Sequence, residues 1–292
     1  MFPHYGIGHF IGEPENPTEF ELTRFERMGE LPDIEDPHKH TFYEILWTDA
    51  GRSTQVIDYR AYDVEPGTLF FISPGQLHHF EEYQPLLGGS VFFTEDYFLR
   101  HQPDRTQLFQ MTFLDNFFGN PLHRPAPAAW KDIRRTIDEL ERERYRPDED
   151  ERIVRSLLHI LLARVQRSFQ QQQPGTTSSR YVVLFKEFQR LLNQHYGAGW
   201  TARTYAGHLA VTPHHLNSVC RSLTNRTTSQ LIRARSILEA RRLLTFSERS
   251  VSEIAAALGY YDLSYFGKMF RTETGRSPGQ FRREASEKYR SL

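Results

Sequence analysis

Between Thr201 and Arg283 the chain repeats one pattern at a spacing of about fifty residues, and this limits the possible folds more than any other feature. Forty-nine residues separate Ala206 from Ala255, and fifty separate Leu216 from Phe266, so the second copy holds one extra residue between them. In the second copy Ser250 and Glu253 form a capping box that starts a helix. Ala255 is small enough for a close helix crossing, and Gly259 ends the helix in a left-handed turn. Asp262 caps the next helix, which buries Phe266, Met269 and Phe270 at i, i+3, i+4. The first copy follows part by part: Thr201 as cap, Ala206 at the crossing, Ala210 in the place of Gly259, and Leu216, Val219 and Cys220 as the buried face. Asn225 stands where the second copy has Gly275, and Asn is the other residue that accepts the left-handed conformation. Two helix-turn-helix units in series are predicted, joined by a helix from Ser229 to Thr245 and preceded by one from Tyr181 to Tyr196.

Charge separates this part from the rest. The net charge of the 292 residues is −1, yet residues 180–292 hold 18 Lys and Arg against 8 Asp and Glu, and residues 1–179 hold 18 against 29. A basic C-terminal half seeks a polyanion and an acidic N-terminal half does not, as expected when the C-terminal half alone binds nucleic acid. The single cysteine, Cys220, excludes an intrachain disulfide, and its place on a buried helix face suits a small core residue. No apolar run approaches the ~20 residues of a membrane span, and the first residues lack the pattern of a signal peptide, so no membrane association and a bacterial cytoplasmic location are expected.

With G-Y-x-D-x-S-Y-F-x-K-x-F-R and G-x-S-P-x-x-F-R in its second copy, the C-terminal hundred residues resemble the DNA-binding domain of the AraC/XylS family of bacterial transcription regulators. The resemblance implies that helices at about Pro213–Leu223 and Leu263–Thr274 enter major grooves of double-stranded DNA about one turn apart, roughly 34 Å. His214, Asn217 and Ser218, and in the second unit Ser264, Gly267 and Lys268, match base-contacting positions of the family, and Arg221 and Arg271 lie on the same outward faces.

The N-terminal half reads differently. Residues 1–19, rich in Gly and Pro, are expected to form a loose arm. Short alternating stretches follow at Phe20–Phe25, Phe42–Trp47, Thr54–Tyr59, Thr68–Ser73, Leu77–Phe80 and Gly88–Phe93, broken by Gly and Pro, which indicates a sandwich or barrel. Within them, His38, His40, Glu44 and Gly51 resemble the first cupin motif, and Gly67 through Pro74 and Gly75 to His78 or His79 approximates the second. Strand alternation puts His38, His40 and Glu44 on one face. That set, with His78, is able to hold a divalent metal, or to line an organic effector site together with Tyr43. The effector reading is preferred, with no metal and no cofactor expected. From Glu95 the pattern turns helical, with short helices at Glu95–Arg100 and Gln107–Phe118, then longer ones at Trp130–Arg146 and Asp148–Phe169. The last has an apolar stripe through Leu158 and Leu162 wider than one packing surface needs, and homodimerisation through it is expected. Residues 170–179 read as a polar linker.

The expected fold class is α+β: residues 1–169 a cupin-like β-barrel with a helical dimerisation region, and residues 180–292 an all-α domain of two tandem helix-turn-helix units. The expected function is a sequence-specific transcription regulator, not an enzyme, controlled by a small-molecule effector, with RNA polymerase as a further partner. Two other classes fit less of the chain: a metal-dependent cupin enzyme fused to a DNA-binding module, and an architectural DNA binder without effector.

Overall fold

The computed structural model describes residues 4–28, 37–81, 86–100, 108, 111, 113–114, 120–172 and 179–289. The chain divides into two compact units, Phe2–Thr176 and Thr177–Leu292. Most of the expected helix Gln107–Phe118, and residues 173–178 of the expected linker, lie outside the described residues; Gln170–Gln172 continue the preceding helix.

The first unit is built on short strands: β1 (His4–Tyr5), β2 (Phe20–Arg24), β3 (Lys39–His40), β4 (Tyr43–Ala50), β5 (Ser53–Ile57), β6 (Arg60–Val64), β7 (Leu69–Ile72), β8 (His78–Phe80), β9 (Leu87–Phe93) and β10 (Leu122–His123). They form a five-stranded antiparallel sheet in the order β10-β7-β4-β9-β2, a three-stranded antiparallel sheet β6-β5-β8, and a parallel pair β1-β3. Leu46, Phe70 and Ile72 of the larger sheet share a core with Ile57 and Val64 of the smaller. Among the described residues no ladder closes these sheets into the expected barrel. At the one bridge, His38 to His78, the flanking strands are only two and three residues long, too short to carry pairing across. The strand expected to run through Tyr59 ends at Ile57. Asp58 and Tyr59 both take positive φ in a two-residue hairpin turn, and Asp58 is held there by accepting from the backbone N–H of Leu77 at 3.3 Å.

The opposite face of the larger sheet carries Phe20, Leu22, Tyr43, Ile45, Trp47, Phe71, Val91 and Phe93, and packs on helices. After two short helices, α1 (Phe25–Met28) and α2 (Glu95–Leu99), come the long helices α3 (Pro127–Arg144) and α4 (Glu151–Gln172). Ile133, Ile137 and Leu140 of α3 and Val154, Leu158, Leu161, Leu162 and Val165 of α4 complete this core. The indole of Trp47 lies against Gly89, where an added Cβ would come within 2.6 Å of its ring. Arg24 and Arg134 flank that ring at 5.5 and 5.7 Å, and their guanidinium groups also bond Glu141 and Asp49. This clamps α3 to the sheet.

The wide stripe of α4 is therefore explained within one chain. Leu158 and Leu162 have no exposed surface, because α4 is covered by both α3 and the sheet. The expectation that they form a dimer surface is corrected. The large apolar side chains of α4 that stay exposed are Ile153 and Ile160, at 46% and 44%, with Leu157 half-buried between them.

The second unit is helical: α5 (Ser179–His195), α6 (Ala202–His208), α7 (Pro213–Thr224), α8 (Thr228–Phe246), α9 (Val251–Ala257), α10 (Leu263–Thr274) and α11 (Pro278–Tyr289). Every N-cap that was read in the sequence forms. Thr201 accepts from the N–H of Thr204, Asp262 from those of Ser264 and Tyr265, and Ser250 with Glu253 makes the full capping box. Ala210, Asn225, Gly259 and Gly275 all take positive φ. The buried faces are Leu216, Val219 and Cys220 on α7 and Phe266 and Phe270 on α10, while Met269 is only half-buried. Among the described residues no helix is long and apolar enough to cross a membrane.

Candidate functional site

In the first unit, alternation along β4 decides which side chains meet. Phe42 and Glu44 point to the face opposite Tyr43 and Ile45. Glu44 sits at the centre of a buried polar cluster. Its Oε2 lies 3.3 Å from His40 Nε2 and 3.6 Å from His78 Nε2, and its Oε1 accepts from Ser90 Oγ at 2.6 Å. The His38 ring is 4.4 Å from that of His78, and His40 stacks on Phe42 at 4.1 Å. Of the two histidines left open in the sequence, His78 is the one beside Glu44. Tyr43 does not join the cluster: it stacks on Phe93 in the core under the helices, as its odd position along the strand requires. Ser90 was missed, because a lone serine in an apolar strand gives no signal until pairing brings β9 beside β4.

The N-terminal residues also differ from the loose arm expected of them. β1 pairs with β3 at Tyr5–His40, and a 3-10 helix over Ile7–Ile11 follows. Phe10 packs on Phe42 and Phe92 at 5.5 and 5.3 Å and lies 5.4 Å from the His38 ring. Tyr5, Ile7 and Phe10 thus supply one wall around the cluster. The signal for this was available in the apolar spacing of those residues, and the surrounding glycines outweighed it.

The cluster is electrostatically unfinished. Burial lowers the pKa of His40, against the opposing pull of Glu44, and burial with the neighbouring His38 and His40 holds His78 well below the usual histidine value. His78 Nδ1 lies 3.2 Å from the Gln76 carbonyl, which only accepts, so the ring proton is placed there. His78 Nε2 and Glu44 Oε2 face one another at 3.6 Å, beyond hydrogen-bond reach. A hydroxyl or ammonium donor, or a cation, satisfies both. The ligand atoms of His40, Glu44 and His78 lie within 4.8 Å of one another, so among the described residues these three form the group able to hold a metal, and His38 falls outside it.

In the second unit, His214, Arg221, Ser264, Lys268 and Arg271 are exposed on the faces of α7 and α10 opposite their buried residues, and Ser218 and Gly267 are half-buried. Asn217 is committed elsewhere: its Oδ1 accepts from the backbone N–H of Thr228 at 3.2 Å, tying α7 to the start of α8. Only its amide N–H groups are left for a base. Outside the sequence reading lies a buried ion network on α8, where Glu239 accepts from Arg235 and Arg242, both at 3.2 Å, and Arg235 also donates to Asn193 of α5 at 2.8 Å. These residues sit at helical spacing like any surface charges, and only packing shows them to be interior.

Comparison with known proteins agrees in both halves. A family model for a helix-turn-helix domain matches residues 205–284, and one for an AraC-like ligand binding domain matches residues 19–112. The chain is 26% identical over 252 residues to the HTH-type transcriptional activator RhaR of Cronobacter sakazakii, covering 85% of this chain and 86% of that one. It is 25% identical over 263 residues to the HTH-type transcriptional activator RhaS of Escherichia coli, covering 86% and 89%. Among solved structures, ToxT from Vibrio cholerae aligns with 91% of this chain and 98% of its own at 13% identity and a TM-score of 0.43, too loose a match to argue from.

Proposed function

We propose, for a chain that belongs to the AraC family of helix-turn-helix transcription regulators, that it is an effector-controlled activator of bacterial promoters, working in the cytoplasm together with RNA polymerase. The observation that carries this is the pairing of the two helix-turn-helix units, down to matched caps and matched left-handed residues at Ala210 and Gly259 and at Asn225 and Gly275. The names of the relatives support activation. Helices α7 and α10 enter successive major grooves. His214, Ser218, Ser264 and Lys268 reach base edges, the amide of Asn217 assists, Gly267 lets the helix approach closely, and Arg221 and Arg271 grip phosphates. Sequences selected from a random duplex pool by the purified chain test this. Lys268→Ala should cost about 1–3 kcal/mol and relax the preference at one position if it reads a base. An equal loss on every sequence assigns Lys268 to a phosphate.

The two sheets act as walls of a cupin-like chamber in which His40, Glu44, His78 and Ser90 hold the hydroxyl or amino groups of an organic effector, with His38 and the aromatic side chains of Phe10, Phe42 and Phe92 around it. The convergence of His40, His78 and Ser90 on the buried Glu44 carboxyl supports this site. Binding there favours one placement of the N-terminal segment, and that placement alters DNA binding. Thermal stabilisation by a metabolite panel, lost in His40→Ala, is the test. The same observation favours a second reading, a metal held by His40, Glu44 and His78. Elemental analysis of untagged protein separates the two: less than one metal per chain supports the effector alone. The chain acts as a homodimer through Ile153, Leu157 and Ile160 on α4. Ile153→Asp with Ile160→Asp should leave folded monomers in sedimentation, whereas a charge at Leu158 should unfold the unit.

A further inference from the structure

The two helix-turn-helix units touch one another directly as well as through α8. Helix α5 belongs with the first of them: Tyr181 meets the ring of His215 on α7 at 5.6 Å, and Phe188 meets Tyr205 on α6 at 5.4 Å. The turn that follows α5, residues 196–199, reaches across to the second. An added Cβ on Gly197 would stand 2.8 Å from the Ala257 carbonyl oxygen. One on Gly259 would stand 2.7 Å from the Gly199 N and 3.0 Å from the Gly197 carbonyl oxygen. Backbone therefore lies on backbone, closer than a side chain allows. The contact has no counterpart on the other side. Counted from the caps Thr201 and Ser250, the second unit has Phe246 and Glu248 where the first has Gly197 and Gly199, and Ala210, in the place of Gly259, is exposed.

Both partners in this contact are anchored. Trp200 is stacked between His195 at 4.0 Å and His208 at 4.3 Å, which fastens the turn to α5 and α6. Ser236 of α8 donates to the Tyr196 carbonyl at 3.3 Å, and Arg235 lies over the Tyr196 ring at 4.1 Å. In the second unit Tyr260, next to Gly259, packs on Phe266 of α10 at 5.2 Å. Fixed contacts thus run from α6 through Trp200, the glycine turn and Gly259 to α10. Two bodies joined by one helix bend or twist about it, and a second contact between them removes that freedom. A contact made of backbone alone has no rotamers with which to adjust. We propose that the Gly197–Gly199 turn and Gly259 form a clasp that fixes the separation of α7 and α10, so that the chain selects operators by the spacing between their half-sites as well as by the bases in each. This rests on the reading of both helices as groove-entering. One base pair moves a half-site by about 3.4 Å along the duplex and turns it by roughly 35°, a step that a clasped pair cannot follow.

The test uses the full chain and the duplex it selects from a random pool, with one base pair inserted or removed between the two half-sites. Wild type should lose about 100-fold in affinity, the cost of one or two mismatched base pairs. Gly197→Ala and Gly259→Ala should lose about tenfold on the same duplexes, because an unclasped unit recovers one of those pairs. Both should keep the wild-type base preference within each half-site. Gly207→Ala, with open space around its Cβ, is the control and should show the full loss. If the clasp variants also show the full loss, α8 alone sets the spacing and the proposal fails. It fails too if wild type tolerates the change, since the two helices are then free to move apart. Gly197 is not in the left-handed region, so its variant carries the test if Gly259→Ala unfolds. A chain that selects no sequence at all fails the DNA-binding reading itself, which is a separate result.

Discussion

The two helix-turn-helix units meet the same backbone requirements with different chemistry. Ala210 and Gly259 both end their first helix in the left-handed region, at φ 53° and 79°. At Gly259 the conformation coincides with close packing, since an added Cβ would lie 2.7 Å from the Gly199 N and 3.0 Å from the Gly197 carbonyl oxygen. Ala210 already carries a Cβ at the equivalent place. Positive φ alone is thus a cost that alanine bears, of about 1–2 kcal/mol, while positive φ with backbone contact leaves only glycine. A second contrast explains Asn217. Its counterpart fifty residues on is Gly267, which has no side chain to offer. The group that Asn217 satisfies, the N–H of Thr228, has Pro278 as its counterpart, and proline has no N–H. The first unit therefore ties this position to the next helix through a side chain, and the second does not.

Five substitutions should break or sharpen this comparison. The largest effect is expected at Glu239→Ala in α8, on which both units rest. It leaves the buried Arg235 and Arg242 without a shared carboxylate, and removing one partner of a buried ion network costs about 3–5 kcal/mol. Denaturant unfolding should show both units weakened in one transition; separate transitions would mean that α8 does not couple them. Next, Gly259→Ala should cost about 3 kcal/mol, the sum of left-handed strain and overpacking, measured in the same way. A loss under 1 kcal/mol would show that the Gly197–Gly199 turn yields easily. Third, Asn217→Ala should cost about 1–2 kcal/mol by stranding the Thr228 N–H. Gly267→Ala, with open space around its Cβ, should gain up to about 1 kcal/mol of helix stability while weakening DNA binding. Equal and opposite thermal shifts for that pair are the signature to look for. The smallest effect is expected at Ala210→Gly, a gain of about 0.5 kcal/mol, in which relief of strain exceeds the added entropy of the unfolded chain. A destabilised variant would contradict the strain assigned there.

What the sequence determined by itself is local or periodic. The caps at Thr201, Ser250 and Asp262, the left-handed residues and the buried faces of α7 and α10 depend on neighbours three or four positions away, and each is written in residue type and spacing. The convergence of His40 and Glu44 was read from alternation along one strand, and it forms although a bend at Thr41–Phe42 separates their two strands. Tyr43 was placed with them by adjacency, and alternation overrules adjacency. What only the tertiary structure decided is which surfaces cover one another. Leu158 and Leu162 read as an interface until α3 and the sheet take up both sides of α4. Residues 4–11 read as a loose arm until β3 offers them a pairing edge. Ser90 reaches Glu44 across forty-six residues, and Arg235 reaches Asn193 across forty-two. Such contacts leave no local trace, because a side chain's partner across a sheet or between helices is set by the path of the whole chain, whereas a helix cap or a strand face is set by the few residues beside it.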